Sequence, residues 1–343
     1  MAVVKSDAYG HGLVKATQAL YEAGARTFGV AEVDEGIALR KAGLGGEIIV
    51  LLGPVPETVD DIIRHSLTPV LFNPELLDKI SQRAVEFNKK VGVHVKVDVG
   101  MGRLGVMPEE LFPFCETVER LPGVFLSGVL SHLPLADDLS SAETVNELRR
   151  FRDIMDRLMG HVPAKPVAHV ANSAALAYNH GTHLDMVRPG ITLYGCYPVE
   201  SEKNSLPFSL KPVMSFKTRV IQVKEVPAGY GISYGHIFIT RRPTRIAVLP
   251  VGYDDGYLRK LSNRAEVLIH GQRAPVRGRV CMNACMVDVT DLQGAPVKTG
   301  DEVVLLGRQK DGAITAEEVA GWLETINYEV CCLFGNRNRR VYI

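Results

Sequence analysis

Over its first two hundred residues the chain alternates short apolar runs with amphipathic stretches, and this alternation restricts the possible folds more than any other feature. The apolar runs lie at residues 2–5, 27–31, 47–52, 68–72, 92–98, 124–130, 168–172 and 186–194. Helical periodicity fills most of the gaps between them, as at 12–23, 34–42, 74–90, 108–121 and 141–159. Apolar strands separated by helices must run parallel, because parallel pairing needs a crossover and cover on both faces. The pattern predicts an α/β fold of the (β/α)8 barrel type. No Gly-rich dinucleotide fingerprint follows an early strand, which weighs against a doubly wound nucleotide fold.

From about Leu206 the pattern changes. Period-two alternation at 213–224, 245–251, 265–269, 274–276, 285–289 and 301–306 is punctuated by Pro-Ala-Gly, Asp-Asp-Gly, His-Gly-Gln and Lys-Thr-Gly turns. This predicts a mostly antiparallel β domain with one helix near 316–323. The boundary falls within 205–211, giving a barrel over 1–206 and a mostly β C-terminal domain over 207–343. No internal repeat or low-complexity tract is apparent.

Lys+Arg and Asp+Glu both number 39. A net charge near zero argues against a nucleic-acid binder, and no basic run suits a lipid surface. No run of eighteen apolar residues and no signal-peptide layout is present. The cysteines are Cys115, Cys196, Cys281, Cys285, Cys331 and Cys332, with no CxxC pair among them. Vicinal Cys331 and Cys332 do not easily close a relaxed bridge, so free thiols in a reducing cytoplasm are expected. No histidine pair accompanies the cysteines at zinc-ligand spacing, and no metal is expected.

The first apolar run ends in a lysine, within Val3-Val4-Lys5-Ser6-Asp7-Ala8-Tyr9-Gly10-His11-Gly12. The carboxyl ends of barrel strands face the active site, which places Lys5 for chemistry. An amine in a partly dry pocket loses basicity and becomes able to form a Schiff base. The alternative is an ordinary surface lysine just past a strand.

Six further motifs, in order, carry a family resemblance. They are Val95-Lys96-Val97-Asp98-Val99-Gly100-Met101-Gly102-Arg103-Leu104-Gly105, His169-Val170-Ala171-Asn172-Ser173-Ala174 and Met186-Val187-Arg188-Pro189-Gly190-Ile191. Gly231-Ile232-Ser233-Tyr234-Gly235, Gly278-Arg279-Val280-Cys281-Met282 and Glu324-Thr325-Ile326-Asn327-Tyr328-Glu329 complete them. With the lysine motif, and over essentially the whole chain, the sequence resembles the alanine racemases, pyridoxal 5'-phosphate enzymes of bacterial cell-wall synthesis. The resemblance implies interconversion of L- and D-alanine, supplying D-alanine for peptidoglycan, by a cytoplasmic homodimer with shared active sites.

It also implies site residues. The cofactor is expected as a Schiff base on Lys5. Its phosphate is expected at Tyr9, Asn172, Ser173, the backbone of Gly190 and Ile191, and Tyr328. A helix cap at Asn172 and packed aromatics at Tyr9 and Tyr328 are the simpler alternatives. Arg188 is expected to face the pyridine nitrogen. A guanidinium is far too basic to protonate that ring, which restricts side chemistry. His132 and His169 are expected to complete a polar network with Arg188, although each is equally readable as a satisfied core histidine.

Racemisation needs a base on each face. Lys5 serves one, and the partner subunit's Tyr234 is expected to serve the other. Bringing a phenol from a pKa of about 10 to near 7–8 requires roughly 3–4 kcal/mol of preferential phenolate stabilisation. An aromatic stripe of Tyr230, Ile232 and Tyr234 on one strand face is the alternative. Arg103 and the backbone of Met282 are expected at the substrate carboxylate, with Tyr253 near the entrance. Lys96 shares a strand face with Asp98. Many members carry a carbamylated lysine here that braces the arginine; a Lys96–Asp98 ion pair is the alternative.

Some features depart from the family. The resemblance leads to the expectation that the segment of about thirty residues normally preceding the lysine motif is missing. Asn283 stands where an aspartate is usual, and Asp254 where a small residue is usual. Two other readings therefore stay open: a non-catalytic or degenerate cofactor-binding relative, and a serine or broad-specificity racemase.

Overall fold

The computed structural model describes residues 1–206 and 209–343. Two compact units emerge. One comprises Met1–Ala8, Leu13–Leu193 and Tyr197–Ser209, and the other Tyr9–Gly12, Tyr194–Cys196 and Leu210–Ile343. The boundary expected between 206 and 207 touches Pro207, which lies outside the described residues.

The first unit is built on a parallel sheet of seven strands in sequence order: β1 (Ala2–Val3), β2 (Thr27–Val30), β3 (Glu47–Val50), β4 (Thr68–Leu71), β5 (Val91–Lys96), β6 (Val124–Leu130) and β7 (Val167–His169). Helices connect them: α1 (Lys5–Tyr9), α2 (Leu13–Glu22), α3 (Val33–Lys41), α4 (Val59–Arg64), α5 (Pro74–Glu86), α6 (Leu111–Arg120) and α7 (Glu143–Leu158), with α8 (Ser173–Tyr178) after β7. Their starts follow ordinary capping chemistry. Asn73 accepts from the amides of Glu75 and Leu76 ahead of α5, and Pro74 occupies the first turn.

The eighth strand expected over 186–194 does not form. Residues 185–190 run between β7 and β1 and bridge them. Asp185 N and Arg188 N donate to Ala168 O and Ala171 O, while Met1 N and Val3 N donate to Val187 O and Pro189 O. Pro189 has no N–H to continue a ladder, and Ile191–Tyr194 turns into a 3-10 helix. The sheet is therefore curled and closed as in a barrel, through a segment that is hydrogen-bonded without being a regular strand. Inside it, Ile49, Val70 and Leu130 pack with Leu51, Phe72 and Met186.

The second unit is mostly antiparallel. β9 (Gln222–Val226), β12 (Thr244–Leu249) and β15 (Cys285–Asp288) form one sheet. β13 (Glu266–Ile269), β14 (Gln272–Pro275), β16 (Glu302–Gln309) and β17 (Gly312–Ile314) form another, with β8 (Phe216–Arg219) on β16. A small hairpin joins β10 (Gly231–Ile232) to β11 (Phe238–Ile239). The helix expected at 316–323 is α9 (Ala316–Leu323), started by Thr315 accepting from Glu318 N. A second helix, α10 (Asn327–Arg337), carries Tyr328. Two short pieces of the first half, Tyr9–Gly12 and Tyr194–Cys196, belong to this unit. Gly10, at φ 79°, lies so close to Cys331 O and Gly335 that any Cβ would overlap them.

Candidate functional site

Strand β5 reads Val-Gly-Val-His-Val-Lys, and its alternation sends Val93 and Val95 one way and His94 and Lys96 the other. All four are buried. The β5–β6 register shifts between Val93 and His94, bringing His94 opposite Gly128. A Cβ on Gly128 would overlap the His94 ring, so the imidazole lies directly on the β6 backbone.

Arg188 comes from the bridging segment and is buried. Its Nη1 is 2.9 Å from His169 Nδ1, and its Nη2 donates to Ser131 O at 2.7 Å and Val170 O at 3.0 Å. His132 Nδ1 lies 3.4 Å from the same Nη2. His169 Nε2 in turn sits 2.8 Å from His94 Nδ1. A guanidinium only donates, so the facing nitrogens of His169 and His132 must be acceptors and both rings neutral. Burial, with the Arg188 charge beside them, pulls His132 down to about 3 and His94 to about 4, and pulls His169 well below its ordinary value. Burial alone lowers Arg188 to about 10, which leaves it charged at neutral pH. No carboxylate pairs with Arg188 among the described residues, and its Nε has no protein acceptor there. The arrangement presents a held cation with one open donor edge.

Lys5 follows β1 at the same end of the barrel as Lys96 and His132, near enough to depress the pKa of both. It opens a turn of unexpected hand. Ser6, Asp7, Ala8 and Tyr9 all have φ of 54–56°, so α1 is left-handed. Ala8 N donates to Val4 O, Asp7 Oδ1 accepts from Leu13 N at 2.6 Å, and Glu35 accepts from Asp7 N and Ala31 N. Lys96 is lowered to about 8 by burial and by the Arg103 and Arg188 charges. The Lys96–Asp98 ion pair does not form. Asp98 is consumed by its own loop, accepting from the amides of Gly100, Met101 and Arg103. The Arg103 side chain is exposed.

After β7, Asn172 caps α8 by accepting from Ala175 N, and its Nδ2 donates to Leu133 O. Ser173 Oγ accepts from Gly190 N at 2.8 Å and lies 3.3 Å from Thr192 Oγ1. Asn172, Ser173, Gly190 and buried Ile191 thus converge beside Arg188. The cap and the cluster are two properties of one turn.

In the second unit, Tyr9 packs against Tyr194 and Tyr328, with ring centroids 5.1 and 6.1 Å away. Burial raises its phenol pKa. The strand face expected for Tyr230, Ile232 and Tyr234 is not there. β10 stops at Ile232, Ser233 takes φ 62°, and Tyr234 begins a 3-10 turn, 70 % exposed. Tyr253 N and Asp254 N donate to Cys281 O and Met282 O, which fixes Tyr253 beside the Met282 backbone. Gly252 permits this approach, since a Cβ there would strike both carbonyls. Asn283 Nδ2 donates to Asp254 Oδ2 at 3.4 Å, so the two departures from the family pattern touch each other.

The residue missed from sequence is His94. Its signal was present: a polar side chain on an apolar strand, at the same parity as Lys96.

Two family models, described as alanine racemase N-terminal domain and alanine racemase C-terminal domain, match residues 1–198 and 213–342. A relative named alanine racemase from Halothermothrix orenii is 42% identical over 342 residues, covering 100% of this chain and 89% of its own. The structure of alanine racemase from D-cycloserine-producing Streptomyces lavendulae superposes with a TM-score of 0.94 at 34% identity, covering 100% of this chain and 90% of that one. Alanine racemase from Bartonella henselae, solved with covalently bound pyridoxal phosphate, gives 0.88 at 32% identity over 100% and 92%.

Proposed function

The chain belongs to the alanine racemase family, and from that premise we propose that it interconverts L- and D-alanine with pyridoxal 5'-phosphate on Lys5, using Lys5 and the partner subunit's Tyr234 as the two proton carriers. The observation that carries this reading is Arg188, a buried cation held by neutral imidazoles and carbonyls with its Nε edge open. An acceptor that is a weak base, such as a pyridine nitrogen, suits that edge.

When bound, the cofactor supplies an electron sink that makes the Cα proton of an amino acid removable. Arg188 would donate a hydrogen bond to a ring nitrogen held at its Nε edge without surrendering its proton, which would leave that nitrogen unprotonated and the sink weak. That favours returning a proton to Cα over competing bond cleavages. Ser173 Oγ is assigned to the phosphate, with Asn172 and the turn at Gly190–Ile191 holding it in place, and the resemblance adds Tyr9 and Tyr328. Arg103 and the Met282 backbone are assigned to the substrate carboxylate, and Tyr253 to its approach. Lys5 moves a proton on one face of Cα.

The other face needs a second carrier. The 234–239 turn leaves Tyr234, Ile237 and Ile239 exposed along with Tyr230, an apolar set that a second copy would cover. His132, with Nδ1 turned to Arg188, keeps an Nε2–H to donate toward that second carrier. A cytoplasmic homodimer supplying D-alanine for cell-wall peptide synthesis is the setting this reading implies.

Subunit exchange tests it. Lys5→Ala and Tyr234→Phe proteins are each expected to be inactive in alanine racemisation followed by circular dichroism. Mixed dimers are expected to recover activity, because one of their two sites is intact. Inactive mixed dimers of well-folded parents would refute the shared site.

A further inference from the structure

His169 is fully enclosed, and both its ring nitrogens need partners. Arg188 offers Nδ1 only donors, so the ring proton must sit on Nε2. The group facing Nε2 is His94 Nδ1, at 2.8 Å. Two N–H groups cannot face each other at that distance, so His94 must present a lone pair there and carry its own proton on Nε2.

The surrounding chain holds His94 in that role. The alternation of β5 puts the ring on the Lys96 face, and the extra residue Ser127 in β6 brings Gly128 opposite it, whose bare backbone leaves room for the ring. His94 also lines a cavity of about 480 Å³ at the amino ends of the strands, with Thr27, Glu47, Ser127, Val167 and Asp185. The two imidazoles therefore span the barrel from that cavity to Arg188.

We infer that His94 is a positioning residue for Arg188: its Nδ1 lone pair fixes the tautomer of His169, and His169 then holds the guanidinium in the orientation that leaves Nε open. This rests on the proposal that Arg188 faces the cofactor. Without the lone pair, the His169 Nε2–H is buried unsatisfied, and the opposite tautomer sets an N–H against Arg188.

The test uses the holoenzyme with His94→Leu and His94→Asn. Leucine removes the acceptor, whereas the asparagine Oδ1 stands close to where Nδ1 accepts. For His94→Leu we expect kcat to fall about ten- to a hundredfold, the loss of a buried hydrogen bond in a charged network. KM for alanine is expected to stay within about threefold, because no substrate contact changes. The absorption band of bound pyridoxal phosphate should shift. Imidazole 15N–1H correlation spectra should show His169 losing its single Nε2–H tautomer. His94→Asn should restore the tautomer and most of the rate.

Should His94→Leu fail to fold, Gly128→Ala displaces the ring while keeping it, and the same spectral signature is expected. Equal impairment of the leucine and asparagine variants with an unchanged His169 tautomer would reduce His94 to packing and overturn the inference, as would wild-type behaviour of both. Arg188→Gln separates the two levels. If it leaves rate and absorption band unchanged, the underlying reading of Arg188 fails; if it impairs both while His94→Leu does not, only the inference about His94 fails.

Discussion

Acidification offers the sharpest physical test of the buried network. His94, His132 and His169 are neutral in the folded chain, with pKa values of about 4, about 3 and well below the ordinary 6.5 respectively. The cause is burial first and the Arg188 charge second. In the unfolded chain each titrates near 6.5. The folded values are depressed, so the stability involved is fully present above 6.5 and is lost as pH falls toward the folded values. At pH 5 the unfolded chain holds about 0.97 proton on each ring, against about 0.1 or less on His94 and His132 in the fold, so unfolding takes up about 1.8 protons at these two sites, and His169 acts in the same direction. His94 and His132 then each cost about 2 kcal/mol between pH 7 and pH 5, about 4 kcal/mol together, a large share of the stability of an ordinary domain. Proton uptake on urea unfolding, measured by pH-stat at pH 5, tests this without a two-state assumption. The His94→Asn protein should take up about 0.9 proton fewer than wild type. An unchanged uptake would mean that His94 is already charged in the fold, and the tautomer assignment through His169 would fall with it.

Borohydride treatment of the pyridoxal phosphate-loaded protein should fix the label on Lys5 in a peptide map; a label on another lysine would refute the assignment. Lys96 is buried with no ion pair among the described residues and has a pKa of about 8, so its neutral amine increases as pH rises through that value. A carbamate formed from dissolved carbon dioxide is therefore expected by 13C NMR, growing with pH and absent in Lys96→Ala. By the family resemblance Tyr328 also crowds the substrate side chain, so truncating it to alanine should lower alanine turnover yet narrow the alanine-to-serine preference, which a tight pocket sets at roughly 1–3 kcal/mol. A wild-type protein that turns over serine faster than alanine would make the substrate assignment wrong.

Much of this architecture was legible because its signals are local. The periodic apolar runs placed seven parallel strands within a few residues, and the Asn172-Ser173 turn read as a cap on the right helix. The failures have identifiable causes. Met186–Ile191 is apolar like a strand, but Pro189 interrupts the donor row, so the segment bridges β7 and β1 instead of extending a ladder. Tyr234 alternates with Ile232 in sequence, yet Ser233 adopts a positive φ that no periodicity reveals. Asp98 shares parity with Lys96, but three nearby amides claim its carboxylate first. Lys5 was placed by chemistry, whereas the hand of the turn after it had no sequence signal beyond Gly10 and Gly12.

That turn explains how a flexible side chain becomes a dependable one. Left-handed geometry costs roughly 1–2 kcal/mol for each non-glycine residue, so Ser6 to Tyr9 together store about 4–8 kcal/mol. Strain of that size persists only where surrounding contacts over-determine it. Here Val4 O is closed by Ala8 N, Asp7 is pinned at both its amide and its carboxylate, and Glu35 ties the turn to the loop after β2. The backbone on either side of Lys5 is thus fixed by hydrogen bonds, not by the length of a regular strand, since β1 has only two residues. In the role proposed for it, anchor first and base second, Lys5 needs its Cα immobile while its Nζ swings. A short strand followed by a relaxed right-handed turn would leave that Cα free to fray, and the left-handed turn removes the freedom at a cost met by contacts outside the chemistry.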